Sequence, residues 1–596
     1  MQSDDLGKLF IRLQDGFMSA ISPNSEPVGA ARSGVEITKE NSRYLRGTLA
    51  EELARDSDHF GDGDKNLLKF HGSYQQEDRD ARKNRTPGAA RKFYLFMVRC
   101  KIPGGKVTAE QYLAIDDLAG KYANGTLRFT SRQGIQLHGV LKSDLRRTIA
   151  AINDCLLTTL GACGDVERNV MACPAPQAGD PVRATLQREA DRIAAHLAPR
   201  SRAYHEIWLE GRSLSEPPAA DEEPIYGKTY LPRKFKTGLA FPEDNCIDVF
   251  AQDLGFLADV RGGAVAGYDV LVGGGMGMTH GNASTFPFIA RPICSIDADE
   301  VVPTAEAVVK LFRDHGNRAD RKRARIKYLV HDWGVARFRE VLQGYLPRPL
   351  RLPRGLEVTG FQTHLGWHAQ GDGRYWYGLS VENGRIKDVG DFRLRTCLRE
   401  LVRKFRPALR LTPLQDVLLC DLPAGSLAEI LKTLRDHGVK PVEQILPIQR
   451  YSLACPAIPT CGLAICEAER SLPGILDGLE GVLQELGLEN ETLGVRMTGC
   501  PNGCVRPYQS EIGIVGRSGD KYTLFVGGHY LGHRLNFQLA DLVPRERIVE
   551  TLRPLLASFR DTRHPAENFG DWCQRMGVES LRSLLPRSAS EALQGV

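Results

Sequence analysis

The chain has 596 residues, a formal net charge of +5, 42% hydrophobic residues and 25% charged residues. These values exclude a disordered, collagen-like or coiled-coil chain, and the length predicts about four domain-sized units at roughly 150 residues each. No apolar run approaches the roughly 18 residues of a membrane span, so no membrane partner is expected. The opening MQSDDLGKLFIRLQDG has no basic region followed by an apolar core and is too acidic for a transit peptide, which predicts a cytoplasmic protein. Its 14 cysteines are too dilute for a disulfide scaffold, so any cluster of them points to metal.

An N-terminal arm is expected over residues 1–80. The stretch 93–101 is an apolar strand ending at Pro103-Gly104-Gly105. Thr108 with Gln111 three residues on is a capping-box pattern, and Leu113, Ile115, Leu118, Ala119 and Tyr122 then share one helical face. Two short strands follow, 126–130 and 136–140, and then a helix over about 144–156. The second half repeats this order: a strand near 376–381, a turn at Asn383-Gly384, a helix near 394–404, and strands around Leu409 and Val417. Two polar or Pro/Arg-rich stretches, 213–223 and 346–354, read as linkers.

Motifs recur as well as elements. Arg128, Thr130 and Gln133 return in the same order and spacing as Arg410, Thr412 and Gln415. The same shift along the chain carries RNVMACPA, from Arg168, onto RYSLACPA, from Arg450. LVGGGMG at Leu271 resembles FVGGHYLG at Phe525, at a slightly shorter shift. The pattern predicts an internally duplicated α+β chain. Its segments are the arm, 81–158, 159–345, 346–435 and 436–596.

Cys455 and Cys461 lie in CPAIPTC, and Cys500 and Cys504 in CPNGC. Four thiolates in two close pairs fit a [4Fe–4S] cluster, though structural zinc and unrelated buried thiols use the same residue types. Cys466 sits in a helix-like stretch, GLAICEAER, and reads as a packed small residue. Cys173 is the repeat equivalent of Cys455 but has no partner at the position equivalent to Cys461.

Arginine far outnumbers lysine, and basic residues gather at strand ends: Arg99, Arg128, Arg132, Lys234 and Lys236. Alternation puts Lys234 and Lys236 on one strand face. The run from Arg318 to Lys327 reads as a basic helix. Nucleic acid is a poor match, because no base-stacking aromatics are interleaved; a polycarboxylate cofactor or small oxyanion needs the same residues. The Gly-rich LVGGGMG lacks GxGxxG spacing and predicts no dinucleotide fold.

Taken together, NSRYLRG, FHGSYQQEDRDAR, TSRQGIQLHG, GDVERNV, YLPRKFKT, LVGGGMG, CPAIPTC and TGCPNGC make the sequence resemble the siroheme-containing sulfite and nitrite reductases. The resemblance implies two ferredoxin-like units paired into one domain, with two larger siroheme-binding repeats. It implies a [4Fe–4S] cluster on Cys455, Cys461, Cys500 and Cys504, with Cys504 bridging to siroheme iron. It implies siroheme contacts at Arg128, Thr130, Arg132, Gln136, Arg318, Arg321, Arg325, Lys327, Asn502 and Cys504, and an anion pocket of Arg99, Arg168, Lys234 and Lys236. The implied reaction is six-electron reduction of sulfite to sulfide in assimilatory sulfur metabolism. The alternative is reduction of nitrite to ammonia on the same fold; Lys236, where the nitrite enzymes tend to carry Asn, leans toward sulfite. With no flavin or NADP module evident, electrons come from a partner, a ferredoxin in preference to an NADPH-flavoprotein subunit. A monomeric catalytic unit is expected. His138 is left either near the macrocycle or packed.

Overall fold

The computed structural model describes residues 32–83, 92–209 and 223–586. Most of the 213–223 linker therefore lies outside the described residues, as does the N-terminal 1–31.

The first ferredoxin-like unit forms because short apolar strands alternate with amphipathic helices. Its sheet runs Ser73–Glu77, Tyr94–Arg99, Ile135–Val140, Leu127–Phe129 and Arg385–Ile386, every pair antiparallel. The helix Ala109–Tyr122 opens with the expected capping box: Thr108 Oγ1 accepts from Gln111 N–H and the Gln111 side chain accepts from Thr108 N–H. That helix buries Tyr112, Ile115, Asp116, Leu118 and Ala119, whereas Leu113 and Tyr122 are only partly buried. The buried Asp116 is explained by its partners, Arg395 (Nε to Oδ1, 2.6 Å) and Arg399, both from the second unit's helix Leu394–Phe405.

The second unit copies the first. Its sheet runs Gly366–Ala369, Tyr375–Leu379, Val417–Leu422, Ala408–Leu411 and Lys106–Val107. The edge strands are exchanged: Arg385–Ile386 of unit two closes the sheet of unit one, and Lys106–Val107 of unit one closes the sheet of unit two. This reciprocal pairing covers two edges and locks the units together.

The two larger repeats also match. The first holds the sheet Thr237–Ala240, Leu254–Arg261, Ala264–Val272, Arg291–Asp297; the second holds Leu453–Ala454, Val495–Thr498, Ile512–Ser518, Lys521–Val526, Phe537–Pro544. Thr237–Ala240 pairs in parallel with Leu254–Arg261, as Val495–Thr498 does with Ile512–Ser518, and the later pairs are antiparallel in both. Between the repeats the buried carboxylate of Asp248 takes Arg496 (2.8 Å) and Arg506. Asp248 and Arg506 are far apart in sequence but alike in backbone. Both are left-handed (φ 53° and 61°), and each opens a short 3-10 turn before a strand. They are mates across the molecule's internal twofold.

Two local expectations fail. Arg318 to Lys327 is not a helix: the helix Val301–His315 ends before it and Ile326–Gln343 starts within it. The intervening loop turns its cations onto protein acceptors, which a solvent-facing helix could not do. Residues 462–470 are also irregular, and the next helix is Leu472–Leu486. There Ile465 and Cys466 both donate backbone N–H to Gly499 O (2.7 and 2.9 Å), tying this stretch to the neighbouring cysteine loop instead of to itself.

Candidate active site and cofactor cradle

The four clustered cysteines leave adjacent strands at the same end. Cys455 follows Leu453–Ala454, and Cys500 follows Val495–Thr498, its parallel neighbour. Two sequence-distant pairs are thereby brought to one place. Gly499 N–H donates to Cys455 Sγ (3.4 Å), Asn502 Nδ2 donates to Cys500 Sγ (3.3 Å), and backbone N–H groups of Leu463 and Ala464 face Cys461. Burial pushes the thiols of Cys455 and Cys461 up and that of Cys500 up to about 12, and the charge of the nearby Cys504 adds to each. Four facing thiols cannot ionise together without a central positive charge. Cys504 differs from Cys455 and Cys500 in being exposed.

The Gly-rich loop after Ala264–Val272 docks on this group. Met278 N–H donates to Pro501 O (3.0 Å). A Cβ on Gly503 (φ +60°) would lie 2.9 Å from Met276 O, and one on Gly277 would lie 3.1 Å from Asn502 O. The glycines of LVGGGMG and CPNGC are therefore there for backbone approach between repeats.

A group of cations lies in the opposite repeat and its ferredoxin-like unit. Arg99, at the end of its strand, reaches Cys163 Sγ (2.9 Å) and, with the Gln136 amide turned oxygen-inward, Gln136 Oε1 (3.1 Å). Arg168 donates to Gly164 O (3.1 Å) and approaches Tyr74 Oη (3.5 Å). Its backbone N–H binds Phe235 O (3.1 Å), which places Lys234 and Lys236 beside it. Among the described residues neither lysine has a carboxylate within ion-pair distance. Burial, followed by the cations Arg325, Arg233 and Arg168, pulls Lys234 down to about 7. Burial with Arg132 and Arg325 pulls Lys236 well below its ordinary value. Arg132 is lowered to about 9 by burial, and its buried Nε has no partner. Such a surplus of desolvated positive charge is unfavourable until an anion enters.

The remaining cations are anchored. Arg325 forms a bidentate pair with Asp253 (2.8 and 2.9 Å), Arg321 pairs with Asp165 (2.8 Å), and Arg318 pairs with Glu36. Lys327 Nζ donates to the carbonyls of Gly275 (3.1 Å), Gly277 (2.6 Å) and Phe286. Arg128 is taken up by Glu469 (2.9 Å) and Ala454 O (2.9 Å), just before Cys455. Thr130 Oγ1 accepts from Gly134 N–H (3.1 Å) and shapes the loop carrying Arg132.

Known proteins carry the same pattern. Residues 189–350 and 493–592 match the nitrite and sulphite reductase 4Fe-4S domain, and residues 90–155 and 368–437 match the nitrite/sulfite reductase ferredoxin-like half domain. Sulfite reductase [ferredoxin] of Synechococcus elongatus is 43% identical, covering 96% of this chain and 93% of that protein. The sulfite reductase [NADPH] hemoprotein beta-components of Staphylococcus saprophyticus and Geobacillus kaustophilus are 43% and 44% identical, each covering 92% of this chain and 96% of theirs. The chain belongs to the nitrite and sulfite reductase family. The structure of Mycobacterium tuberculosis NirA shares the fold, with a TM-score of 0.76 at 23% identity over 94% of this chain and 98% of that one.

The family's cofactors are siroheme and a [4Fe–4S] cluster, and the residues fit both. Four sulfurs, three with N–H donors aimed at them, suit the donor set of a cubane, whose iron would supply the charge that lets the thiols ionise. The buried Arg132 Nε has no partner, a need that a macrocycle with eight carboxylates would meet. His138 is buried with both ring nitrogens unpartnered. Burial, then Arg385, Arg128 and Arg99, keep it neutral.

Sequence reasoning misses some residues of this reductase site. Tyr74, Cys163 and Arg233 stand among the pocket cations, and Arg233 is pulled down to about 10 by burial. Cys163 lies near Tyr74. Glu36 and Lys39 of the arm are buried, paired at 2.5 Å, and reach Arg318 and Asp165. A lone charged pair at i,i+3 in an arm gives no sequence signal of burial. No helix of the described residues is long and apolar enough to cross a membrane.

Proposed function

We propose that Arg99, Arg168, Lys234 and Lys236 form the anion pocket in which this chain reduces sulfite to sulfide. The observation that carries this reading is the pair of half-buried lysines with no carboxylate partner, in a pocket where Arg99 and Arg168 are held by neutral acceptors. When bound, siroheme supplies the iron at which the substrate is held, and the [4Fe–4S] cluster supplies its electrons. The protein's part is to draw in an oxyanion, orient it and hold protons beside it. Arg99 and Arg168 keep their charge and fix the oxygens. Lys234, lowered to about 7, can hold or release a proton at Nζ near neutrality, as removal of oxygen as water demands. Excluding water strengthens each of these contacts.

Around the macrocycle we assign Arg132, Gln136, Arg321, Arg325, Lys327 and Asn502, with Thr130 shaping the loop. Arg128 and Arg318, already neutralised by Glu469 and Glu36, reach it at its edge. Cys455, Cys461, Cys500 and Cys504 would hold the cluster, and Cys504, the exposed residue of the four, would be the one nearest siroheme. Electrons come from a separate protein, with a ferredoxin preferred. Exposed Leu463 and Ile465, beside Cys461, offer it an apolar contact near the cluster.

The test is the visible spectrum of purified protein followed by steady-state rates with sulfite and nitrite. Siroheme bands and a higher kcat/KM for sulfite are expected, and Lys236→Asn should move preference toward nitrite. A higher kcat/KM for nitrite in the wild type would overturn the substrate assignment. Turnover with reduced ferredoxin but not with an NADPH-flavoprotein decides the donor.

A further inference from the structure

Outside the active site, one group of metal-binding side chains is completely enclosed. Cys173, Asp244, Cys246 and His364 are all buried, none more than 5% exposed. Cys173 Sγ is 3.0 Å from Asp244 Oδ2 and 3.6 Å from His364 Nε2, and His364 Nε2 is 3.0 Å from Asp244 Oδ2. One ligand atom from each of the four lies within 4.8 Å of the others. A tetrahedral zinc with sulfur at about 2.3 Å and nitrogen or oxygen at about 2.0 Å spaces its ligands by about 3.3–3.8 Å, so the three contacts above lie within about 0.5 Å of that spacing and the others, all under 4.8 Å, need to close by no more than about 1 Å.

The groups are also aimed. Asp244 Oδ1 is occupied by backbone N–H donors from Cys246 (3.0 Å) and Gln362 (3.2 Å), which leaves Oδ2 facing the centre. His364 is held in the left-handed region (φ +62°), a strained conformation for a non-glycine residue.

The internal twofold explains why such a group stands here. Met171 and Ala172 are the counterparts of Leu453 and Ala454 in the motif repeat, and each segment pairs in parallel with a strand of its own repeat. Cys173 therefore occupies the place of Cys455. Asp248 and Arg506 are mates, so Cys246, two residues before Asp248, occupies the place of Cys504. The other two cluster positions fall on Gly179 and Pro242, which carry no ligand. Repeat one thus keeps two of four thiols and cannot complete a cubane, but Asp244 and His364 supply two harder donors in their stead.

We propose that Cys173, Asp244, Cys246 and His364 bind a single zinc ion, a mononuclear counterpart of the cluster in the other repeat. Two thiolates, an imidazole and a carboxylate suit zinc and do not suit magnesium or calcium. Two thiolates and a carboxylate leave a Zn²⁺ site at −1, and the Arg183 guanidinium beside Cys173 offsets that charge. The ion staples three distant segments, including the 346–365 stretch that joins repeat one to the second ferredoxin-like unit, so its role is structural.

The test uses holoenzyme grown with added zinc and purified without chelator. Elemental analysis should give one zinc per chain, and X-ray absorption at the zinc edge should show two sulfurs at about 2.3 Å and two nitrogen or oxygen atoms at about 2.0–2.1 Å. Cys246→Ser and His364→Gln should each lose zinc while iron content and siroheme absorbance stay at wild-type level. Zinc-free wild-type protein with full iron would overturn the proposal, as would a zinc shell without sulfur or zinc retained in both variants. The absorption measurement on wild type decides the matter even if a variant does not fold.

Discussion

Replacing Asp248 by Asn probes the contact that joins the two repeats. The carboxylate is fully buried and receives Arg496 at 2.8 and 3.4 Å together with Arg506 Nε. Burial alone would raise its pKa, but the two guanidinium groups hold it below the usual carboxylate range. Asn preserves shape and removes the charge, so two buried cations lose their shared counter-ion. Breaking a buried pair in this way costs about 3–5 kcal/mol. Arg506 also donates to Ser131 O (3.3 Å) and Pro413 O (3.4 Å), and it stands two residues beyond Cys504. The loss should therefore reach the cluster loop. In a urea titration followed by far-UV circular dichroism and visible absorbance, Asp248→Asn should unfold earlier by that amount and lose its chromophore first. Because this carboxylate's pKa is depressed by folding, its contribution is full above about pH 4 and is lost as pH falls through the lower folded value, so wild type and variant should converge in acid. Adding Arg506→Gln should recover part of the loss, since it removes one of the stranded cations. A loss below about 1 kcal/mol, the scale of an exposed pair, would refute the reasoning.

Two further outcomes follow from the site. Gly503→Ala places a Cβ 2.9 Å from Met276 O in a left-handed residue, so the variant should fold but lose cluster iron and its low-temperature EPR signal; full iron content would show that the loop yields. Lys234, at about 7 because burial and three arginines disfavour its charge, loses its proton above that pH, so KM for an anion that does not titrate there, such as nitrite, should climb about tenfold per pH unit. A flat KM, or an unchanged climb in Lys234→Met, would remove Lys234 from the pocket.

What can be read from the chain differs by the range of the interaction. Thr108 with Gln111 announces a helix start because a capping box is local, and the structure has that helix and both side-chain bonds. The cysteine spacings and the motif repeat are equally legible, since both lie in the order of residues along the chain. The stretch 318–327 misleads because charge alone does not tell a solvent-facing helix from a loop. Its Arg318, Arg321, Arg325 and Lys327 find Glu36, Asp165, Asp253 and three carbonyl oxygens, all in other segments of the chain, while the Arg323–Asp332 pair is local. The exchange of Lys106–Val107 for Arg385–Ile386 is hidden for a related reason: a two-residue strand has no periodicity to detect.

The duplicated architecture also accounts for how charge is divided. A symmetric molecule would put thiolates and cations in both halves, and each centre would then face a copy of its own sign. Here the cluster cysteines come from repeat two and the pocket cations mainly from repeat one and its ferredoxin-like unit. The loop 273–277, four glycines and Met276, packs its backbone against Asn502 and Gly503 of the cysteine loop. Cys504 of repeat two lies close enough to Lys234 of repeat one to favour the lysine's charge, which burial and three arginines oppose. Electron-rich sulfur on one side and uncompensated cations on the other make a gap suited to an anion that must be both bound and reduced. On the proposed function, divergence of the repeats is part of the chemistry, because four clustered thiols in one and unpaired cations in the other place electron donor and counter-charge on opposite sides of an anion.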